Sequence, residues 1–436
     1  MRKTFDIKNP MRAFSVLATF LIVFCAIPGY AQEEENTDYN QYQGEVVDSD
    51  NNDPLVFATL YVDGTNISTV TNSEGAFLLK TPKEMNEGDV TISFLGYQSK
   101  TIALADLKAK RNRIELKETA VELPTVSFEV PSDAEKLVRA TLKKKGENYF
   151  DNPTKMTAFY RETIKKRRRN VSLSEAVVNI YKEPYDSNKR DQVQLYKSRK
   201  STDYDRLDTI ALKLQGGPFN TLFLDIMKYP EYIFTDEDIN LYDFKLARRT
   251  VVNDQSVYII DFKQKEDIAE SLYEGKLYID PVNKILVSAI YSLNIKDKNQ
   301  AASYFVKRKP NKADVWPTEV SYRVDYREKD GKWYYGYSNA LLEFKIDWDD
   351  RLFNSVYSMT CEMAVTDWKK NSEKNALKNR DRLKSSIILV DEASGFSDPD
   401  FWGEYNIIEP DKSIESAIKK IQRQLRRAGN GAAAAQ

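Results

Sequence analysis

Short alternating stretches of apolar and polar residues, separated by turn residues, begin near residue 43. The first seven predict strands at residues 44–47, 56–62, 68–71, 76–80, 90–94, 99–104 and 113–116. Asp63-Gly64, the run 72–75, the run 87–89 and Leu95-Gly96 lie between them and accept tight turns or positive φ. Seven short strands within about 75 residues predict a β-sandwich.

A second strand-rich region extends from residue 156 to about residue 390. Its alternation predicts strands at residues 157–164, 171–181, 191–200, 243–252, 256–262, 271–279, 285–293, 318–328, 332–346 and 353–367. The runs 280–283 and 329–331 have the composition of hairpin turns. Consecutive hairpins predict an antiparallel sheet that is larger than the sandwich and curved. The predicted fold class is therefore mainly β.

Helical spacing of apolar residues occurs in a few places only. A capping-box pattern at Ser132 and Glu135, followed by apolar residues three and four apart, predicts a helix over 133–145. A second apolar stripe predicts a helix over 412–427, and residues 209–229 have a weaker helical pattern with Leu212, Leu222, Phe223 and Ile226 on the buried side. The larger sheet module is thus expected to be flanked by helices.

The N-terminal stretch has the organisation of an export signal. Four basic residues precede an apolar run from Phe14 to Ile27, and small residues lead to Ala31. This predicts a signal peptide over 1–31, because the run is short for a membrane span. The remaining chain divides into a flexible leader at 32–40, the sandwich at 41–117, a linker at 118–131, the β-rich module at 132–428 and a disordered tail at 429–436.

Composition narrows the chemistry. The chain has no histidine, and only Cys361 of its two cysteines remains after the predicted cleavage. These two facts exclude Ser-His-Asp and Cys-His catalysis, His-based metal sites and an intramolecular disulfide. Removal of residues 1–31 changes the formal charge from −1 to about −4, which gives no reason to expect nucleic acid binding. No cofactor and no metal are predicted.

The first module resembles a known family. The segments 44–48, 54–62, 64–65, 71–77 and 92–97, with their turn glycines and the Phe-Leu-Gly-Tyr sequence, are similar to the carboxypeptidase-like regulatory domain. That family is a transthyretin-like β-sandwich found on TonB-dependent receptors and other envelope proteins of Bacteroidota. The resemblance implies an appended, non-catalytic sandwich. Ser68 is a departure, since the family often has a second glycine there.

Two further resemblances concern the second module. The segments 158–162 and 174–176, together with Phe401-Trp402, resemble exported Bacteroidota proteins that pair this sandwich with a β-rich module, and they imply no activity. The segments 258–262 and 273–280 are similar to the half-barrel of periplasmic lipoprotein carriers.

Two groups of residues are candidates for binding. Aromatic residues on the predicted strands could form an open sheet face for a ligand or partner, with Tyr278, Tyr291, Tyr322 and Trp333 as candidates. The alternative is that these aromatic side chains fill the core of the sheet. The cationic run Lys165, Lys166, Arg167, Arg168 and Arg169 could bind lipid phosphates or form a solvated hairpin tip.

Carboxylates also occur in groups, such as Asp48 with Asp50 and Asp347 with Asp349 and Asp350. Paired carboxylates can hydrolyse glycosides, so this alternative stays open. The first group resembles the start of a calcium loop, but Asp53 stands where the loop needs glycine.

The sequence thus predicts a non-catalytic exported protein at the periplasmic face of the outer membrane. It would act as a binding or assembly module for an outer-membrane or periplasmic protein. A periplasmic carrier of an apolar, lipid-like ligand is the alternative, a glycan is a further candidate ligand, and a carboxylate-only glycoside hydrolase is the rival from a different class.

Overall fold

The computed structural model describes residues 38–119, 133–167, 169–202, 216–252, 255–305, 311–350, 352–371, 377–395 and 401–411. The described chain from Tyr39 onward belongs to one compact unit. The predicted signal peptide, the C-terminal helix and the tail lie outside the described residues, as do most of the leader and linker. The structure confirms the mainly β fold, with a small sandwich and a larger antiparallel sheet.

The sandwich consists of seven strands in two sheets. A three-stranded sheet has the order β4-β1-β7 and a four-stranded sheet the order β3-β2-β5-β6. Apolar side chains from both sheets, including Val46, Leu60, Phe77 and Ile92, form its core. The strands are β1 Tyr39–Asp48, β2 Thr59–Val62, β3 Ser68–Val70, β4 Ala76–Pro82, β5 Asp89–Ser93, β6 Lys100–Ala103 and β7 Asn112–Leu116.

The turn between β3 and β4 shows why the sequence folds locally in this way. The Asn72 side-chain oxygen accepts hydrogen bonds from the backbone N–H groups of Glu74 and Ala76, both at 2.9 Å. Gly75 has φ +71°, and a Cβ there would lie 2.6 Å from the Val46 carbonyl oxygen. Glycine is therefore required both by the positive φ and by the close approach of β1.

The larger module contains ten antiparallel strands in the order β11-β12-β13-β14-β15-β16-β17-β8-β9-β10, with β18 added parallel at the β10 edge. The strands are β8 Thr154–Lys166, β9 Arg169–Lys182, β10 Gln192–Thr202, β11 Tyr242–Val252, β12 Gln255–Gln264, β13 Tyr273–Asp280, β14 Ile285–Leu293, β15 Ala313–Lys329, β16 Lys332–Trp348, β17 Ser355–Lys370 and β18 Ser394–Gly395. The predicted turn at 329–331 joins β15 to β16, with Asp330 and Gly331 at positive φ. Its Asp-Gly pair suits a two-residue hairpin turn.

Five short helices accompany the sheets in the described part of the chain. They are α1 Ala134–Lys143, α2 Lys145–Asn148, α3 Phe219–Leu222, α4 Lys298–Phe305 and α5 Leu389–Glu392. The residue that caps α1 is Asp133, whose side chain accepts from the Lys136 N–H, which corrects the predicted cap at Ser132. The predicted helix over 209–229 is also corrected, since only the turn of α3 is helical in its described portion. Within the described residues, no helix has the length and hydropathy needed to cross a membrane.

The two faces of the large sheet have different coverings. The face that we call the helix face packs against α1 and the segment 216–241, and Tyr160, Met363 and Leu222 belong to its core. The opposite face, here the sandwich face, packs against the sandwich and residues 401–411. Its core contains Phe159 and Tyr337 from the sheet together with Val70 of the sandwich and Trp402.

Residues 401–411, the C-terminal segment, join the sandwich to the sheet. The Asn406 side chain accepts from the Lys80 N–H at 2.7 Å and donates to the Lys80 carbonyl at 2.9 Å. Trp402 is buried against Phe159, with ring centroids 5.4 Å apart. The sandwich is therefore held on the sheet through a shared core, and whether residues 41–117 fold alone stays a prediction.

Candidate functional site

A cleft lies where the sandwich meets the sandwich face of the large sheet. Phe57, Thr59 and Phe94 line it from the sandwich, and Ser288 and Arg323 line it from the sheet. It encloses about 50 Å³. Pockets for drug-sized ligands have volumes of roughly 300–1,000 Å³. This interdomain cleft therefore suits a small chemical group.

Arg323 is the most exposed cation of the interdomain cleft. Its guanidinium lies between the rings of Phe57 and Phe94, at 5.6 and 5.9 Å from their centroids. Its Nε donates to Asp325 at 2.8 Å, and Asp325 also accepts from the Ser288 hydroxyl at 2.6 Å. Among the described residues, Nη1 and Nη2 of Arg323 have no hydrogen-bond partner. The guanidinium is thus held in place while its outer N–H groups stay available.

Phe57 reaches Arg323 through an unusual backbone conformation. Its φ is +65°, a conformation that is costly for a bulky side chain. The Thr71 hydroxyl holds this turn, accepting from the Ala58 N–H at 2.8 Å and donating to the Leu55 carbonyl at 2.6 Å. The turn also corrects the predicted strand 56–62, because β2 begins only at Thr59. Strain of this kind is found most often where it positions a side chain for a function.

Arg327 lies beside Arg323 on β15 and is buried. Its Nη1 donates to the Ser68 hydroxyl at 2.5 Å and to the Val365 carbonyl at 3.0 Å, and no described carboxylate lies within ion-pair distance. Burial lowers the pKa of Arg327, opposed by Tyr334 and Asp325. A bulge at Gly336 makes room, because a Cβ there would lie 2.7 Å from the Arg327 side chain.

The two arginines make the interdomain cleft positively charged and suited to an anionic group. A guanidinium presents N–H groups in a planar fork that matches a carboxylate or a phosphate. Arg323 has such a fork unoccupied, and Arg327 adds a second positive charge with only neutral acceptors around it. The arrangement is therefore suited to one small oxyanion.

The structure does not bring the four predicted aromatic residues together. Tyr291 and Tyr322 lie side by side on the helix face with ring centroids 5.1 Å apart, and Trp333 is buried near the turn between β15 and β16. Of the four, Tyr278 lies nearest the interdomain cleft, since Arg323 and Asp325 are among the charges that act on its hydroxyl. Burial raises the pKa of Tyr278. Three of the four are buried and Tyr322 is half-buried. The four side chains therefore do not form the expected open aromatic face. A binding role for them stays a prediction.

The cationic run forms a hairpin tip, as one of its two interpretations predicts. Lys165 and Lys166 end β8, and Arg167 occupies the turn with φ +55°. Lys165 approaches Asp411 at 3.9 Å, and Lys166 lies over the Tyr357 ring. Arg167 is exposed. Arg168 and the Arg169 side chain lie outside the described residues.

The predicted carboxylate groups do not converge in the interdomain cleft. Asp48 accepts from the backbone N–H groups of Asp50 and Asn51 and from the Tyr97 hydroxyl, as a turn residue does. Asp347, Asp349 and Asp350 lie exposed at another hairpin tip. The described residues contain no group of three side chains able to hold a metal ion.

Buried carboxylates do converge elsewhere, around cations. Asp191 and Asp225 each approach the Lys182 ammonium, at 2.7 and 2.8 Å. Glu175 and Glu362 approach the Arg161 guanidinium at 2.8 and 3.2 Å. Both cations are buried, and neither belongs to the lining of the interdomain cleft. We interpret these clusters as structural.

Sequence reasoning missed the residues of the interdomain cleft, although two signals were present. Arg323, Asp325 and Arg327 alternate along one predicted strand, which is an unusual concentration of charge on one side of a strand. Ser68, the departure from the family pattern, provides the hydroxyl that contacts Arg327 and Val365. A glycine at this position would make neither contact.

Comparison with known proteins supports the assignment of the first module. Residues 42–127 match the model of the CarboxypepD_reg-like domain, which confirms that resemblance for this part of the chain. No curated protein matches the chain.

Solved structures are similar to this chain only at low sequence identity and low TM-score. A DUF1329 family protein from Desulfovibrio piger is 10% identical, with 56% of this chain and 96% of that chain covered and a TM-score of 0.23. A domain described as an outer membrane lipoprotein-sorting protein, from Vibrio parahaemolyticus, is 13% identical, with 57% and 97% covered and a TM-score of 0.25. MucB is 11% identical, with 53% and 93% covered and a TM-score of 0.20. At these scores the likenesses carry no argument about function.

Proposed function

We propose that the protein is a non-catalytic binding module of the cell envelope that holds an oxyanion group of a partner in the interdomain cleft. The observation that carries this proposal is the Arg323 guanidinium, fixed by two rings and Asp325 but with its outer N–H groups unoccupied by described residues. The group bound would be a carboxylate or a phosphate, because both match the planar fork of N–H donors.

The chemistry of the interdomain cleft supports binding and not catalysis. Asp325 is the acidic side chain in the lining, and it accepts hydrogen bonds from Arg323 and Ser288. The described lining residues include no second carboxylate beside it. The chain has no histidine to serve as a general base. Carboxylate-only glycoside hydrolysis needs two carboxyl groups across a sugar, and the small volume of the cleft does not accommodate a sugar ring.

The predicted export signal supports the periplasm, or the periplasmic face of the outer membrane, as the compartment of the proposed binding. We propose an outer-membrane or periplasmic protein as the partner, contributing a side-chain or terminal carboxylate. The shared core of sandwich and sheet supports this, since it holds Phe57 and Phe94 at a fixed position relative to Arg323.

The alternative of an apolar-ligand carrier receives less support from the geometry. Its ligand would occupy the helix face, where Tyr160, Leu222, Tyr291 and many other side chains already pack together. A carrier would have to displace α1 or the segment 216–241 before a lipid could enter.

Thermal unfolding with added anions tests the proposal. The full chain would be heated with sodium phosphate or sodium succinate against sodium chloride of equal ionic strength. We expect a saturable rise in Tm with phosphate or succinate, because a ligand that binds only the folded state stabilises it. Arg323→Met should abolish the rise, Arg323→Lys should weaken it, and Arg113→Met, which alters an exposed arginine of the sandwich, should preserve it.

The two anions distinguish a carboxylate ligand from a phosphate ligand. A rise with succinate alone indicates a carboxylate partner, and a rise with phosphate alone indicates a phosphorylated ligand or a lipid headgroup. If neither anion exceeds chloride, or if Arg323→Met responds as the wild type does, the interdomain cleft does not bind oxyanions.

A further inference from the structure

The interdomain cleft is built from two modules that meet at a second core. Phe57, Thr59 and Phe94 belong to the sandwich, whereas Arg323 and Arg327 belong to β15. The sandwich has an apolar core of its own, and the shared core lies between the sandwich and the sheet. A ligand in the interdomain cleft therefore contacts both modules only while the sandwich is docked on the sheet.

Hydrogen bonds join the two modules around the shared core. The Asn66 side chain donates to the Trp368 carbonyl at 2.6 Å. The Gly96 N–H, in the turn after β5, donates to the Val251 carbonyl of β11 at 2.9 Å. Each of these groups can bond to water when the sandwich leaves the sheet, so the net contribution of each bond to docking is small.

The junction also buries polar atoms whose hydrogen-bonding capacity is not met. The Tyr337 hydroxyl and the Trp402 indole N–H belong to the shared core, and neither has a hydrogen-bond partner among the described residues. Arg327 is buried at the same junction, where its hydrogen bonds go to the neutral Ser68 hydroxyl and the Val365 carbonyl. Buried polar groups of this kind lower the stability of the docked state, because water satisfies them once the modules separate.

A bound oxyanion changes this balance in favour of docking. The lining of the interdomain cleft holds two arginines and one aspartate, which gives it a net charge of +1 for an anion to neutralise. Phe57 and Phe94 flank the Arg323 guanidinium, and an ion pair is stronger where water is partly excluded. Without the sandwich, Arg323 would be an exposed cation, whose ion pairs contribute little. The docked state therefore binds the anion more tightly than the undocked state does.

We propose that oxyanion binding in the interdomain cleft is coupled to docking of the sandwich on the sheet. The inference rests on the proposed function of the cleft and states what binding does to the rest of the molecule. A ligand that binds one of two states more tightly stabilises that state, and the coupling is reciprocal. Occupancy of the cleft thereby sets how often the sandwich leaves the sheet and exposes the shared core.

Thiol labelling of the full chain measures this undocking. Val70 is fully buried in the shared core, so Val70→Cys reacts with a thiol reagent only after the sandwich leaves the sheet or unfolds. Ala364→Cys is a second reporter, on the sheet side of the same core. Val62→Cys is the matched comparison, because Val62 is buried in the sandwich's own core and becomes accessible only when the sandwich unfolds. The wild type gives the blank, since its Cys361 is buried.

Undocking should be easier than unfolding of the sandwich. Without an added anion, Val70→Cys and Ala364→Cys should therefore react at least about tenfold faster than Val62→Cys. Sodium succinate or sodium phosphate, at ten times the dissociation constant found by thermal titration, should slow both reporters about tenfold against sodium chloride of equal ionic strength. Adding Arg323→Met to either reporter should remove this slowing.

The labelling rates separate failure of the coupling from failure of the proposed function. Equal rates for Val70→Cys and Val62→Cys mean that the sandwich leaves the sheet only by unfolding, which overturns the coupling. A rise in Tm with the anion, without slower labelling of Val70→Cys or Ala364→Cys, also overturns the coupling but leaves the proposed function intact. Absence of both effects overturns the proposed function and the coupling with it.

Discussion

Strand β8 carries a buried charge on each face of the large sheet, and the partners of the two charges differ. Arg161 and Glu162 are consecutive in β8, both are buried, and alternation directs them to opposite faces. On the sandwich face Arg161 contacts two carboxylates and donates to the Ile408 carbonyl at 2.6 Å. On the helix face Glu162 accepts a hydrogen bond from the Tyr160 hydroxyl at 2.8 Å.

The sandwich face therefore carries a paired ladder of charge. Glu362, Arg161, Glu175 and Arg199 lie on four neighbouring strands and form successive ion pairs. Burial raises the pKa of Glu175, but the two guanidinium groups outweigh burial and hold that pKa below its usual value. For Glu362 burial dominates and raises the pKa despite Arg161. Arg161 also connects the ladder to the C-terminal segment, because it donates a hydrogen bond to the Ile408 carbonyl.

The helix face has one complete cluster and one isolated acid. Lys182 joins β9 to Asp225 in the segment 216–241, so this ion pair attaches the covering segment to the sheet. Among the described residues, no cation lies within ion-pair distance of Glu162, and burial raises its pKa to about 7. The comparison teaches that burial and the cross-strand neighbours act together, since two guanidinium groups outweigh burial at Glu175 whereas one does not at Glu362.

The largest expected effect is the loss of Arg161. Arg161→Met leaves Glu362 buried without its cation and deprives Glu175 of one of two, so we expect a loss of about 3–5 kcal/mol in the free energy of unfolding. Urea unfolding at pH 7 measures this loss. The control Arg113→Met removes an exposed pair and should leave the midpoint unchanged. A loss for Arg161→Met below about 1 kcal/mol would mean that the ladder is not coupled to stability.

The corresponding change on the helix face is Lys182→Met. It leaves Asp191 and Asp225 facing each other in the core, and we expect a loss of about 2–4 kcal/mol. Adding Asp225→Asn to Lys182→Met should recover part of this loss, because one uncompensated charge is removed. If the double variant is less stable than Lys182→Met alone, the cluster does not act through charge pairing.

Glu162 should give the helix face a pH dependence between about pH 4.5 and 7. Its pKa rises from 4.5 to about 7 on folding, so the folded state binds the proton more tightly. Stability from this group is complete below pH 4.5, decreases as pH rises from 4.5 to 7 and is lost above it, by about 1–3 kcal/mol. Glu162→Gln should therefore be more stable than the wild type at pH 8 and similar at pH 4.5. Urea unfolding at both pH values measures this, and a difference that does not change with pH contradicts the raised pKa.

The smallest expected effect concerns the contact between the modules on the sandwich face. Ser68→Ala removes an acceptor of the buried Arg327 and a donor to Val365, and we expect a loss of about 1–2 kcal/mol. Thr65→Ala, at a turn of the same sandwich, is the matched control because its hydroxyl contacts only its own module. Equal losses for both would show that the Ser68 contact has no special role in docking.

Much of the fold could be predicted from local sequence. Asp330-Gly331, Gly75 and the alternation of each strand indicate turns and strands because the backbone conformation required is encoded within a few residues. Strand β8 was harder to interpret, since Tyr160, Arg161 and Glu162 are all buried and alternation alone does not assign their faces. The helix predicted around Leu222 was wrong in extent, because its apolar residues are buried by contact with the sheet and not by helical periodicity.

The candidate site could not be predicted in the same way. Phe57 and Phe94 come from the sandwich, whereas Arg323 comes from β15, more than two hundred residues later. Their meeting depends on how the sandwich docks on the sheet, and docking leaves no local pattern. The same holds for Arg161, whose partner Glu362 is 201 positions away.

That separation has a consequence for the order in which the molecule assembles. Strand β8 pairs on one side with β9, its neighbour in sequence, but on the other side with β17, which follows most of the module. Until β17 is in place, β8 presents an open edge able to pair wrongly, and Arg161 must stay hydrated. Distant pairings close slowly. We therefore expect the sandwich, whose strands all lie between residues 39 and 116, to form early and the large sheet to close late.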